Sequence, residues 1–224
     1  KMAIITSING NVLESTYGIK VTATKGIIDQ LAKKPTIVRN WPDYHGEQID
    51  LAKPIYEPRD IVLYCTLIAS SETDFYSKLQ AFKTLFTPVG DFVNVPKTQR
   101  LMFLVGGNNA LVYEVYNKVG FEVEKKWRIG RFMYGEFQLN LREPEPVKKV
   151  IKFTGTGLKT INLVSTTPMN IYWGENNITR NCKTITATYT YLTSGDHYVI
   201  ISGMVDEITS ITYPSGTLVW NKSQ

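Results

Sequence analysis

The side chains best suited to catalysis or metal binding are few and scattered. The chain of 224 residues has two histidines, His45 and His197, and two cysteines, Cys65 and Cys182. Zinc and iron sites gather several such ligands, usually with two close together in sequence. No close pair occurs here. A Ser-His-Asp or Cys-His site needs a nucleophile held beside its base, and no G-x-S-x-G elbow is present. Gly106-Gly107 and Gly155-Thr156-Gly157 do not open helices whose N-termini would hold a phosphate, so they read as turns. The carboxylates Glu122/Glu124 and Asp206/Glu207 read as surface pairs, because general acid–base work needs two carboxylates facing each other across a cleft. These residues assign no catalytic, cofactor-binding or metal-binding position, and the chain reads as a non-enzyme.

The aromatic residues leave more open. Trp173, Tyr189, Tyr191, Tyr198 and Trp220 have faces that suit the apolar faces of sugars, and Trp173, Tyr189 and Tyr191 are the candidate ligand-facing set. The alternative is that they fill the core of a small sandwich, as Trp and Tyr commonly do. Trp41 and Tyr44, in the loop Trp41-Pro42-Asp43-Tyr44-His45-Gly46, are candidates for a subunit interface, where aromatics concentrate. Trp41 folding back onto its own core is the other reading.

Charge excludes some partners. Lys and Arg outnumber Asp and Glu by 20 to 16 through Lys149 and by 5 to 4 after it, so the net +5 is spread over mixed surfaces. The densest basic cluster, Lys125, Lys126, Arg128 and Arg131, alternates with Phe121, Val123, Trp127 and Ile129 and reads as the wet side of a strand. Nucleic acid is not an expected partner. No stretch approaches the ~20 apolar residues of a membrane span, and no signal peptide is visible. Met2 reads as a native start, which implies synthesis in the cytoplasm without an export signal. The widely separated cysteines do not form a disulfide framework, and Cys65 suits a buried thiol.

The elements that would position these residues are mostly strands. Turn signals recur at short intervals among β-branched and aromatic residues. Asn9-Gly10-Asn11 is a hairpin cue, Tyr17 to Val21 reads as a strand, and Gly26 to Leu31 as a short helix or a bend. Ile61 to Ile68, Phe92 to Val95 and Arg100 to Val105 read as strands. Val119 to Ile129 reads as a strand with Val119, Phe121, Val123, Trp127 and Ile129 on one face, which Lys125 breaks at a bulge or rim. Phe137, Leu139 and Leu141 alternate with polar residues. One amphipathic helix spans Glu72 to Phe86. Ser71 caps it, Phe75, Leu79, Phe82 and Phe86 form its stripe, and Pro88 and Gly90 stop it. Such a stripe must lie on a sheet face.

Glu143-Pro144-Glu145-Pro146 breaks this pattern, since two prolines supply no backbone donors. The chain divides there into residues 1–146 and 147–224, with Val147-Lys148-Lys149 as the tail of a linker. The second part alternates Ile161/Leu163, Met169/Ile171/Trp173 and Ile185/Ala187/Tyr189/Tyr191, as expected of a small β-sandwich. The fold class is mainly β.

The first part resembles the hub domain of phage distal tail proteins, the Dit-like components of siphovirus tails. The resemblance rests on Tyr17-Gly18-Ile19, Trp41 to Gly46, Pro54 to Leu63, the helix Phe75 to Phe82, Val89-Gly90, and the strand Phe137 to Arg142 running into Glu143-Pro144-Glu145-Pro146. The second part resembles PKD-like or immunoglobulin-like β-sandwich domains found on surface and tail proteins of Bacteroides-type bacteria and their phages. Met169 to Asn177, Tyr189-Thr190-Tyr191 and Gly195 to Ile200 carry that likeness, with Glu175-Asn176 where the family usually has Asp-Gly. The resemblance implies a β-sandwich hub domain with one packed helix, then a small immunoglobulin-like β-sandwich. It implies a structural part of a phage or prophage tail, located in the virion. Family members form hexameric rings joining the tail tube to the tip or receptor-binding apparatus. The implied partners are the chain itself, a tail tube protein and a tail tip protein, with surface glycans for the second part. The alternative is an exported bacterial surface protein whose second domain binds glycans.

Overall fold

The computed structural model describes residues 4–35, 38–40, 42–43, 45–46, 48–49, 54–87, 98–105 and 109–222. The described residues form a mainly β fold with two large antiparallel sheets, one two-stranded ribbon and two α-helices. The first part contains β1 (Ile5–Ile8), β2 (Asn11–Val12), α1 (Leu13–Tyr17), β3 (Ile19–Lys25), β4 (Val38–Arg39), β5 (Gln48–Ile49) and β6 (Arg59–Ala69). It continues with α2 (Glu72–Thr84), β7 (Gln99–Val105), β8 (Asn109–Asn117), β9 (Lys125–Ile129) and β10 (Phe132–Glu143). The second part contains β11 (Lys148–Thr154), β12 (Gly157–Gly174), β13 (Asn177–Tyr191), β14 (Asp196–Gly203), β15 (Ile208–Thr212) and β16 (Gly216–Lys222).

The first sheet runs β2-β1-β7-β8-β10-β6-β3, with β9 also on β10. Its corner is the short pairing of β8 with β10, which joins only Asn117 to Leu141 and Tyr116 to Arg142. Asn9 and Gly10, both at positive φ, close the β1–β2 hairpin as the sequence predicts. Gly26 to Leu31 is a bend held by Asp29, whose carboxylate accepts from the Gly26 N–H at 2.9 Å. Tyr17 differs from its expected strand: it ends α1, and the strand starts at Ile19.

Helix α2 lies on β6 and β10. Ser71 Oγ accepts from the Asp74 N–H at 3.1 Å, so the expected cap is present. Phe75, Leu79 and Phe82 are buried, and Phe82 meets the rings of Tyr17, Phe86, Phe121 and Phe137 within 6 Å. Gly135 on β10 allows this approach, because a Cβ there would sit 2.7 Å from the Phe75 ring. The expected stops, Pro88 and Gly90, and the strand expected over Phe92 to Val95 lie outside the described residues.

The strand expected over Val119 to Ile129 is a correction. Regular pairing with β10 begins only at Lys125. Residues 118–124 follow the β10 edge loosely, tied by Lys118 N–H to Asn140 O and Glu124 N–H to Glu136 O. Without a continuous ladder the side chains lose their common face. Phe121 and Val123 pack on the core, whereas Val119 and Ile129 are 59% and 60% exposed.

The second sheet runs β13-β12-β14-β11-β16, with β15 also on β12. Its strands form one hydrogen-bonded order rather than two detached sheets. The register of β12 shifts between Val164 and Met169. Before the shift β12 pairs with β15, and after it with β14. The two limbs enclose Ile161, Leu163, Met169, Ile171, Trp173, Ala187, Tyr191, Val199 and Ile201. The opposite phase of the same strands, Val150, Tyr172, Tyr198, Ile200 and Trp220, joins the apolar core of the first sheet. That is why Tyr198 to Ile201 is a continuous apolar run: both faces are covered.

Candidate functional site at the junction of the two sheets

The residues between the two sheets carry an unusual concentration of buried charge. Antiparallel register places Arg59, at the start of β6, opposite Glu143, at the end of β10. Arg59 Nε lies 3.6 Å from Glu143 Oε2. Five residues later the chain turns back and Lys148 opens β11. Lys148 is therefore not linker: it is 0% exposed, and Glu143 is 1% exposed. The linker reading fails because the ammonium has buried partners. Lys148 Nζ donates to Glu143 Oε1 and to Val112 O, the latter at 2.6 Å. It also lies over the rings of Tyr113 and Trp220, 4.2 and 4.6 Å from their centroids. Burial raises the Glu143 carboxyl above its ordinary range, opposed by Lys148, and lowers the Lys148 ammonium, opposed by Glu143.

Two further contacts cross the junction. Arg100 on β7 faces Glu114 on β8, and its Nε donates to Glu114 Oε1 at 2.6 Å. The same guanidinium donates to Tyr198 O and, at 3.1 Å, to Tyr172 O, tying β7 to β14 and β12. Gly174 leaves room for it, since a Cβ there would fall 2.9 Å from Arg100 Nη1. Glu145, between the two prolines, accepts from Ser202 Oγ, from Tyr172 Oη at 3.4 Å and from Asn170 Nδ2 at 3.3 Å. Three cations and three carboxylates thus meet across the junction. Glu114, Glu143, Glu145 and Tyr172 line a void of about 10 Å³ there, at the lower limit of what one water needs. Such an arrangement fixes two sheets in one orientation; its charges are spent on each other.

The candidate aromatics separate into two groups. Trp173, Tyr189 and Tyr191 come together at one end of the second core. Trp173 is 1% exposed, stacks on Tyr189 at 5.7 Å and donates from Nε1 to Thr179 Oγ1 at 2.9 Å. Tyr191 donates to Trp173 O at 2.6 Å, and its ring face is covered by His197 at 3.8 Å. The half-buried Tyr189 donates to Glu175 Oε2 at 3.0 Å. Trp173 and Tyr191 line a cleft of about 560 Å³ between the β1–β2 hairpin and the second sheet, with Asn9, Asn11, Asn176 and Asp196 at its polar sides. Tyr198 and Trp220 turn instead toward the first sheet. Trp41 and Tyr44 lie outside the described residues.

Among the described residues, no group of three or more His, Cys, Asp or Glu side chains is placed to hold a metal. Cys65 and Cys182 are buried free thiols, and burial pushes the Cys65 thiol up to about 12. The sequence reading missed Arg59, Arg100, Glu114 and Lys148. The available signals were the alternation of Glu143 and Glu145 with two prolines, and Lys148 in phase with the apolar Val150 two residues on.

No family model and no curated protein matches the chain. Among solved structures, it is similar to the Dit protein of SPP1, described as a paradigm of the hub adsorption apparatus in phages infecting Gram-positive bacteria. The two share 11% identity and a TM-score of 0.47, over 96% of this chain and 100% of that one.

Proposed function

We propose that the chain is a structural component of a phage or prophage tail tip, forming a ring that connects the tail tube to the tip or receptor-binding apparatus. The supporting observation is where the resemblance-bearing segments lie. Glu57 to Leu63, Phe75 to Phe82 and Phe137 to Pro146 are far apart in sequence, yet β6 and β10 pair along their whole shared length and α2 lies across them. These three segments therefore form one packed unit. In this reading residues 1–146 make the ring, with six copies closing head to tail. Residues 147–224, a PKD-like or immunoglobulin-like unit, project from it. The protein resides in the virion tail, and its partners are its own copies, a tube protein and a tip protein. The junction charges hold the projecting unit in one orientation on the ring. Trp41 and Tyr44 supply the copy-to-copy contact.

The test is the mass of the full chain in solution, alone and with its tail neighbours, together with electron micrographs of the product. A closed six-membered ring is expected. Trp41→Ala should abolish the ring while leaving the thermal transition nearly unchanged. A wild-type chain that forms no closed oligomer even with its tail neighbours sinks the reading.

A further inference from the structure

Lys148 and Glu143 form a buried amine–carboxyl contact. The amine nitrogen touches Glu143 Oε1, so the carboxyl carbon is one bond beyond the contact. Both side chains are fully buried, and Tyr113, Trp220 and the Val112 carbonyl wall the ammonium in. We propose that Lys148 and Glu143 condense into an intramolecular amide that staples the end of β10 to the start of β11.

The step balances without any co-reactant. A proton passes from the ammonium to the carboxylate, giving a neutral amine and a neutral acid. Lys148 Nζ adds to Cδ of Glu143, forming the C–N bond. The tetrahedral centre then loses one oxygen as hydroxyl, which takes the second proton from nitrogen and leaves as water. Nothing is oxidised or reduced. The side chains start as –NH2 and –COOH and end as –NH–CO– and H2O.

Three features favour this over a lasting ion pair. Burial destabilises both charged forms, which is the direction in which both groups shift. Arg59 Nε, 3.6 Å from Oε2, lies where negative charge develops in the tetrahedral intermediate. The void of about 10 Å³ beside Glu143, at the lower limit of what one water needs, gives the released water an exit. Exclusion of bulk water then protects the amide from hydrolysis. The link closes a short ring through Pro144, Glu145, Pro146 and Val147, at the point where a pull on one sheet is transmitted to the other.

The experiment is the intact mass of the purified full chain under denaturing conditions. The expected mass is lower than the sequence mass by one water. Tandem mass spectra should place the loss on a linked 143–148 segment, and trypsin should not cut after Lys148. Lys148→Arg and Glu143→Ala should each return to full mass. If either variant fails to fold, the wild-type measurement decides alone. Full sequence mass in the wild-type chain overturns the proposal, and so does a water loss that maps elsewhere or persists in a variant.

Discussion

The helix-covered end of the first sheet and the charged end of the same sheet are built on the same two strands. Under α2, β6 and β10 present Cys65, Leu67 and Phe137 to the apolar core. At their other end they present Arg59 and Glu143 to the junction. One end is held by apolar burial, which is non-directional and tolerates adjustment. The other is held by charges that need particular partners in particular places, and losing one strands the rest. The fold uses the first kind of contact to form a sheet and the second to fix how two sheets meet.

Breaking the charged end should have the wider effect. Lys148→Ala leaves buried carboxylate without its closest cation, and the expected loss is about 3–5 kcal/mol in urea unfolding. Hydrogen exchange should rise on both sides of the junction, in β10 and in β11. The paired change Lys148→Met with Glu143→Leu removes the stranded charge and should recover that part of the loss, leaving the part that the amide supplies. A pair as unstable as the single variant would show that the charges, or the bond between them, are themselves required.

Breaking the apolar end should stay local. Phe82 is fully buried among four aromatic rings. Phe82→Ala should lose about 3–5 kcal/mol, with the exact value set by how far those rings close the cavity. Exchange should rise first in α2 and α1, leaving β11 to β16 protected. Equal loosening of both sheets by Phe82→Ala would mean that the two ends of β6 and β10 unfold as one unit.

The same contrast decides what was legible in the sequence. The α2 stripe, its Ser71 cap and the alternation along β10 and β12 depend on spacing within one element, so periodicity exposes them. Lys148 sits between charged and apolar neighbours and reads as linker, because its partners Val112, Tyr113, Glu143 and Trp220 come from three other strands. Arg100 looks like a surface arginine until β12 and β14 arrive to offer their carbonyls. The failed strand over Val119 to Ile129 has a related cause: its apolar spacing is real, but β10 offers it no continuous edge. The candidate aromatics show the limit from the other side. Residue type selected Trp173, Tyr189 and Tyr191 as a group, and they do meet, but type alone could not say that His197 covers one ring face.

The smallest expected effect tests the comparison with polar contacts alone. At the start of α2, Ser71 Oγ accepts from the Asp74 N–H, and Asp74 Oδ2 accepts from Ser70 N–H and Oγ and from Lys78 Nζ, at 2.9 to 3.1 Å. This network is as well connected as the junction, but it stands in water. The Ser70 and Lys78 contacts hold the Asp74 carboxyl below its ordinary range. In Ser71→Ala, solvent can take the place of the lost acceptor, and Asp74 keeps its remaining partners. The expected loss is therefore about 1 kcal/mol, seen as a lower urea midpoint with an unchanged slope. A loss approaching that of Lys148→Ala would mean that the cap is shielded from water, and solvent access would no longer explain why the two polar networks differ.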